Sequence, residues 1–131
     1  YCHILRRQIR RSFRKPLVRM TPKSILRHKL AISDAADFTT GSSFHRVLWD
    51  DAEKGHSDTK LAADDKIRRV VISSGKVYFD LLEERDARGI DDVYLLRLEQ
   101  FYPFPALALM KELERFKGAE IVWCQIRMRF C

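Results

Sequence analysis

Residues Asp92 to Pro105, DVYLLRLEQFYPFP, decide how the chain folds. Val93, Tyr94, Leu95, Leu96 and Leu98 form a nearly continuous apolar run, the pattern of a strand buried on both faces of a parallel sheet. Arg97, Glu99 and Gln100 then put polar groups at its C-terminal end. Phe101-Tyr102-Pro103-Phe104-Pro105 follows as an aromatic loop stiffened by two prolines, and Pro105 suits the first turn of a helix. Ligands of open α/β sheets sit beyond the C-terminal ends of the strands, so a site is expected here.

Working outward, a helix is predicted from about Pro105 to Phe116, with Ala106, Leu109, Met110, Leu113 and Phe116 at core spacing and Gly118 ending it. Glu120 to Cys124 reads as the next strand. Upstream, Arg69 to Ser74 is a β-branched strand, Gly75 makes a turn, and a helix runs from about Lys76 to Arg88. Tyr78, Leu81, Leu82 and Arg85 share one of its faces, and Gly89 is placed to cap it. The order strand, helix, strand, helix, strand predicts a right-handed βαβαβ unit on a parallel sheet. Ser73-Ser74-Gly75-Lys76 has some look of a phosphate loop. It lacks the P-loop spacing and is not G-x-G-x-x-G, so it does not define a phosphate site by itself.

Ser33 to Lys66 reads as a long surface excursion rich in turn formers, with an edge strand around Phe44, Val47, Leu48 and Trp49. Asp50-Asp51 and Asp64-Asp65 lack the spacing of a calcium loop and are expected to be solvated charge.

The chain has 131 residues, 46% apolar and 33% charged, which fits one globular domain with a real core. No apolar run approaches the ~20 residues that span a bilayer. Tyr1-Cys2-His3 offers no initiator Met and no signal or transit pattern, as expected of a piece cut from a longer chain. Cys2, Cys124 and Cys131 have no metal-ligand spacing and are expected to be reduced thiols of an intracellular protein. The formal charge of +7 is local: ten of the 25 Lys and Arg lie in residues 1–30 with no acidic residue, leaving 15 basic against 18 acidic groups beyond.

Within that basic third, Ile4, Leu5, Gln8, Ile9, Ser12 and Phe13 fall on one helical face. Arg6, Arg7, Arg10, Arg11 and Arg14 lie mostly on the other, and the helix is expected to end before Lys15-Pro16. It can be a docked helix with a solvated face, or a contact for a phosphate-bearing ligand or an acidic partner. Leu17 to Met20 reads as a short strand. Thr21 can cap a following helix with Pro22 in its first turn, gathering Lys23, Ser24, Arg27, His28 and Lys29 near a helix N-terminus, which suits an anion. There is no nucleophile elbow, Walker loop, dinucleotide fingerprint or His/Cys metal cluster. His3, His28, His45 and His56 are scattered without a carboxylate to orient them.

Longer motifs carry a resemblance. YCHILRRQ (Tyr1 to Gln8), RKPLVRMTPKSILRHKLA (Arg14 to Ala31), SSGKVYFDLLEERDARGIDDVYLLRLEQFYPFP (Ser73 to Pro105) and AEIVWCQ (Ala119 to Gln125) resemble the 2-oxoglutarate dehydrogenase component that uses thiamine diphosphate. The likeness is to its C-terminal, transketolase-type domain and covers residues 1–125. The loop Ser42 to Asp51 looks closest to α-proteobacterial members. The resemblance implies an α/β fold, three-layer, with a mostly parallel sheet and helices on both faces, here truncated. In the family the chain usually continues past Gln125 with two glutamates, a proline and a further strand and helices. Residues 126–131 depart from that pattern, and a frameshift or early stop is the simplest account. Cys2 replaces an aromatic residue, and Arg19 a β-branched one. An unpaired arginine in a buried strand would cost several kcal/mol, on the order of a buried charge.

The implied parent enzyme decarboxylates 2-oxoglutarate on thiamine diphosphate with Mg²⁺ and succinylates lipoyl groups of the dihydrolipoyl succinyltransferase. It is implied to be a homodimer of the tricarboxylic acid cycle, with a link to glycolysis, and to engage neither nucleic acid nor membrane. It would be cytoplasmic in bacteria and in the mitochondrial matrix of eukaryotes. The thiamine-binding and catalytic residues would lie in domains preceding Tyr1, so no catalytic, cofactor or metal residue is assigned here, and the piece alone is expected to be inactive. Some bacterial members are implied to bind acetyl-CoA as an activator in this domain. The matching positions are Arg7, Lys23, Ser24 and Lys29, with Gln125 behind them. The alternative is a stand-alone module that binds an anion or acetyl-CoA without catalysis.

Overall fold

The computed structural model describes residues 2–126, with side chains from Ile4 onward; the tail expectation for 127–131 lies outside the described residues. The chain divides between Phe44 and His45 into two compact units.

The first unit opens with α1 (Cys2–Arg10), the expected basic amphipathic helix, which ends at Arg10 rather than running on through Phe13 and Arg14. Arg6 Nη2 donates to Phe38 O at 2.7 Å, and Gln8 Nε2 donates to Lys15 O at 2.5 Å. Two expectations fail beyond it. Leu17 to Met20 is not a strand: the segment runs without regular structure, and Val18 and Met20 are exposed. An extended segment becomes a strand only when a neighbour takes its backbone hydrogen bonds, and the described residues of this unit hold no strand. Arg19 is accordingly exposed rather than buried in a sheet, and the desolvation cost expected of it does not arise. Nor does a helix follow Pro22. Ile25–Arg27 makes one 3₁₀ turn, Ser24 gives it no side-chain cap, and Thr21 Oγ1 is buried without a hydrogen-bond partner instead of capping. A single turn cannot repay helix nucleation unless it buries an apolar face, and Leu26 is exposed.

The second unit is a four-stranded mixed sheet with two helices. β1 (Val47–Leu48), β2 (Arg69–Ser73), β3 (Val93–Leu98) and β4 (Glu120–Trp123) lie in the order β1-β3-β2-β4. β2 pairs in parallel with β3 (Val70 opposite Tyr94, Ser73 opposite Arg97) and with β4 (Ile72 opposite Trp123). β1 is the expected edge strand, antiparallel to the end of β3, with Val47 opposite Leu98. The apolar run behaves as its pattern predicts: Tyr94, Leu95, Leu96 and Leu98 are buried in an interior strand.

The helix α2 (Lys76–Arg88) has the predicted bounds, and Gly89 at φ 62 ends it in the left-handed conformation that glycine adopts without penalty. It buries Tyr78, Phe79, Leu82 and Arg85. The helix α3 (Ala106–Leu113) is shorter than predicted. Leu109, Leu113 and Phe116 pack with Val70, Ile72, Tyr94 and Leu96. Ala106 and Met110, expected in the core, are exposed, because the stripe at i, i+4 and i+7 already meets the sheet and they lie on its margin.

Candidate functional site

In the parallel part of the sheet the chain leaves β2 towards β3 and later crosses back to β4 on the other side. The helices that follow β2 and β3 pack on opposite faces of the sheet, and the C-terminal ends of such strands are where open α/β sheets bind ligands. At the end of β4, Cys124 N donates to Ile72 O at 2.8 Å. Gln125 stands just beyond and accepts from Trp123 Nε1 at 2.9 Å. The Phe101 ring meets Trp123 edge-on, with centroids 6.4 Å apart, so the proline-braced loop reaches the end of β4. Phe101, Tyr102 and Phe104 are exposed, and Gln100 Nε2 donates to Pro103 O at 2.7 Å.

Arg97, at the C-terminal end of β3, lays its guanidinium over Tyr78 at 4.5 Å and near Phe79 at 5.4 Å. Glu99 Oε1 lies 3.3 Å from Arg97 Nε, yet without hydrogen-bond geometry, and that Nε is buried with no partner. Ser73, the register partner of Arg97, is also buried, and its Oγ has no partner.

The residues expected to hold an effector are distributed as follows. Arg7 is on α1, Lys23 and Ser24 precede the 3₁₀ turn, and Lys29 follows it; all four belong to the first unit and are exposed. Gln125 belongs to the second unit and is also exposed. The helix dipole invoked for Lys23 and Ser24 is missing, because the turn is three residues long.

A second constellation was not foreseen. Asp50, expected to be solvated, is 0% exposed, and Arg85 beside it only 3%. Arg85 Nη1 meets Asp50 Oδ2, and Arg85 Nη2 donates to Asp50 Oδ1 at 2.9 Å. Asp50 also accepts the Leu95 N–H at 2.7 Å, while Arg85 Nη1 donates to Val93 O at 3.2 Å. Residues 93, 95 and 97 turn their backbone groups to the same edge of β3, but β1 reaches only Arg97 and Leu98. Beyond β1, the ion pair thus takes the place of the missing strand, carboxylate to N–H and guanidinium to C=O. The chain crossing this edge is fixed by two phenols. Tyr94 Oη accepts the Asp50 N–H at 3.2 Å and donates to Glu53 at 2.9 Å, and Tyr78 Oη accepts the Asp51 N–H at 3.0 Å. Ser57 Oγ donates to Asp86 at 2.8 Å, and Arg115 joins Glu53 at 2.7 Å and Asp64 at 3.1 Å. Segment 50–64 is therefore a strap rather than a loose excursion.

The electrostatics follow from these contacts. Burial works to lower the pKa of Arg85, but the Asp50 hydrogen bonds and charge outweigh it and hold the guanidinium charged. Burial, reinforced by Asp50 and Asp51, pushes the Tyr78 phenol far up, and burial does the same to Tyr94. Burial would raise Asp86, but hydrogen bonds from Ser57, Thr59 and the Asp58 N–H hold it below the usual carboxylate range. One sequence signal did point here: Arg85 sits in the apolar stripe of α2, and a buried cation requires a carboxylate. Among the histidines, His28 Nδ1 accepts the Leu30 N–H at 3.3 Å and His45 packs on Trp49 at 5.2 Å.

The chain is 67% identical over 126 residues, 95% of its length, to a Brucella ovis protein named 2-oxoglutarate dehydrogenase E1 component. It is 67% identical over 129 residues to the protein of the same name from Brucella abortus. Both agree with the α-proteobacterial character seen in the loop Ser42 to Asp51. The chain spans 12% of the length of these relatives. The names concern 2-oxoglutarate dehydrogenation and lend glycolysis no support. The profile of the 2-oxoglutarate dehydrogenase C-terminal family matches residues 32–127. The chain therefore belongs to the 2-oxoglutarate dehydrogenase C-terminal family.

Proposed function

We propose that this chain is the C-terminal part of a 2-oxoglutarate dehydrogenase E1 component. Its parent would decarboxylate 2-oxoglutarate oxidatively and pass a succinyl group to lipoyl groups of the dihydrolipoyl succinyltransferase, in the tricarboxylic acid cycle of the bacterial cytoplasm. The observation that carries this reading is the 67% identity across 95% of the chain. Within the parent, residues 1–125 would serve as a structural domain at a homodimer contact, with its sheet completed into three layers. The placement of Arg97 against α2 and of Ile72 and Leu96 against α3 supports helices on opposite faces, because successive strand residues point to opposite sides. Residues 126–131 would be a divergent tail.

Thiamine diphosphate would supply the electron sink for decarboxylation, held with Mg²⁺ by other parts of the parent. Among the described residues no three His, Cys, Asp or Glu side chains converge as ligands for the Mg²⁺. No catalytic step is assigned to them. Arg7, Lys23, Ser24 and Lys29, with Gln125, would bind the phosphates of an activator such as acetyl-CoA. The exposed cations of the first unit support that role, and they equally support an anion-binding module without catalysis.

The test is a chimera of the Brucella ovis protein in which residues 1–125 replace the matching stretch. Decarboxylation and lipoyl succinylation should persist. A folded, dimeric chimera without either activity would end this reading. Lys23→Ala in the chimera should abolish any activation by acetyl-CoA and leave the unactivated rate intact; activation that survives it would remove Lys23 from the effector role.

A further inference from the structure

Two buried polar atoms without hydrogen bonds lie on the sheet face covered by α2, whose N-terminus is uncapped. Ser73 is fully buried and its Oγ has no hydrogen-bond partner, a condition native proteins rarely keep. Arg97 Nε is buried and makes no hydrogen bond, although Glu99 Oε1 lies 3.3 Å from it as an ion-pair partner. The two residues are register partners in parallel strands, so their side chains leave the sheet on the same face. That face meets α2, since the Arg97 guanidinium lies over Tyr78. Ser73 stands two residues before the N-cap of α2, on the sheet face that the helix covers. The N-cap is Gly75, at φ 68 and ψ −139, which offers no side chain to the first amides, and the first turn holds no acidic residue. Nothing lies within 4 Å of the position a Cβ would take on Gly75.

A hydroxyl without a hydrogen bond, a guanidinium Nε without one and an uncapped first helical turn thus share one face of the sheet. A tetrahedral oxyanion supplies acceptors in several directions, and the helix dipole favours its charge. We infer that Ser73 Oγ, the Arg97 guanidinium and the N–H groups at the start of α2 form a seat for the phosphate group of a small ligand. Lys76 is committed to Asp80 at 2.9 Å and is not part of it. Glu99 competes with an incoming anion for Arg97 and so lowers the affinity of the seat. The seat uses no residue of the first unit, and it stands or falls independently of the effector reading of Arg7, Lys23, Ser24 and Lys29.

The test is a titration of the ¹⁵N-labelled 131-residue chain with inorganic phosphate at constant ionic strength. The Gly75, Lys76 and Val77 amides should shift saturably. Arg97→Met should weaken binding about tenfold, Ser73→Ala several-fold, and Glu99→Gln should tighten it. Lys23→Ala should change nothing. Without phosphate, Ser73→Ala should leave the melting temperature unchanged or raise it, because it deletes an unpaired hydroxyl. Adenosine monophosphate binding more tightly than phosphate would assign the seat to a nucleotide-sized ligand, and equal affinity to free phosphate. Absent or unsaturable shifts would overturn the seat, as would shifts that survive both Ser73→Ala and Arg97→Met. So would a Ser73→Ala variant that melts lower without phosphate yet keeps the phosphate response, for then the hydroxyl is structural and served by buried water.

Discussion

Asp50 and Arg85 show how a single pair can decide the conformation of a long segment. Each is buried, and each also serves the backbone of β3. Asp50→Ala should lower unfolding stability by about 3–5 kcal/mol in urea denaturation, because it strands a buried guanidinium and an unpaired N–H. Replacing both residues by apolar ones should recover only part of this, since Leu95 N–H and Val93 O still lose their partners. The phenols give a second check. Tyr78 and Tyr94 have pKa values raised in the fold, so their contribution is complete below the ordinary tyrosine value of about 10 and is lost as pH rises above it. Their ionisation, followed by ultraviolet absorbance, should coincide with loss of circular dichroism. Asp86 acts in the opposite range. Its pKa is lowered, so its contribution is present above about 4 and lost as pH falls through the folded value. Ser57→Ala should move the acid end of the melting-temperature profile towards higher pH. At this scale the sequence was only half legible. Arg85 in an apolar stripe announces a buried cation, but its partner lies 35 positions away and no local pattern points to it.

Elements whose periodicity matches their burial were read correctly. The strand β3 and the helix α2 carry their patterns because each packs against neighbours in the same unit, and Gly89 marks the end of α2 by conformational necessity. Gly89→Ala should cost about 1 kcal/mol in thermal unfolding, since φ 62 strains any residue with a Cβ. The segments Leu17 to Met20 and Pro22 to Leu30 were misread for the converse reason. Their propensities are real, but regular structure there needs a partner for the backbone or the apolar face, and pattern alone does not supply one. Residues 50–64 were misread because turn formers signal where a chain bends, not whether it is tied down.

On the scale of the whole molecule, β4 lies at the sheet edge among the described residues, with Ile121 and Trp123 exposed and Phe101 against Trp123. An open edge with apolar neighbours favours pairing with another chain. The 131-residue chain should sediment with a concentration-dependent mass, and Ile121→Lys should reduce that dependence. Charge segregation between the basic first third and the remainder was plain in the sequence. The strand ends and the aromatic loop were legible as places in the fold, because periodicity and the two prolines mark them. The ion pair that stands in for a strand beside β3 has a consequence in time. Leu95 N–H is held by a side chain of the strap, whereas the amides of its neighbours face β2. Solvent deuterium should reach Leu95 whenever residues 50–57 lift, while Tyr94 and Leu96 wait for the sheet itself to open. One amide thus clocks the strap, and the two beside it clock the fold.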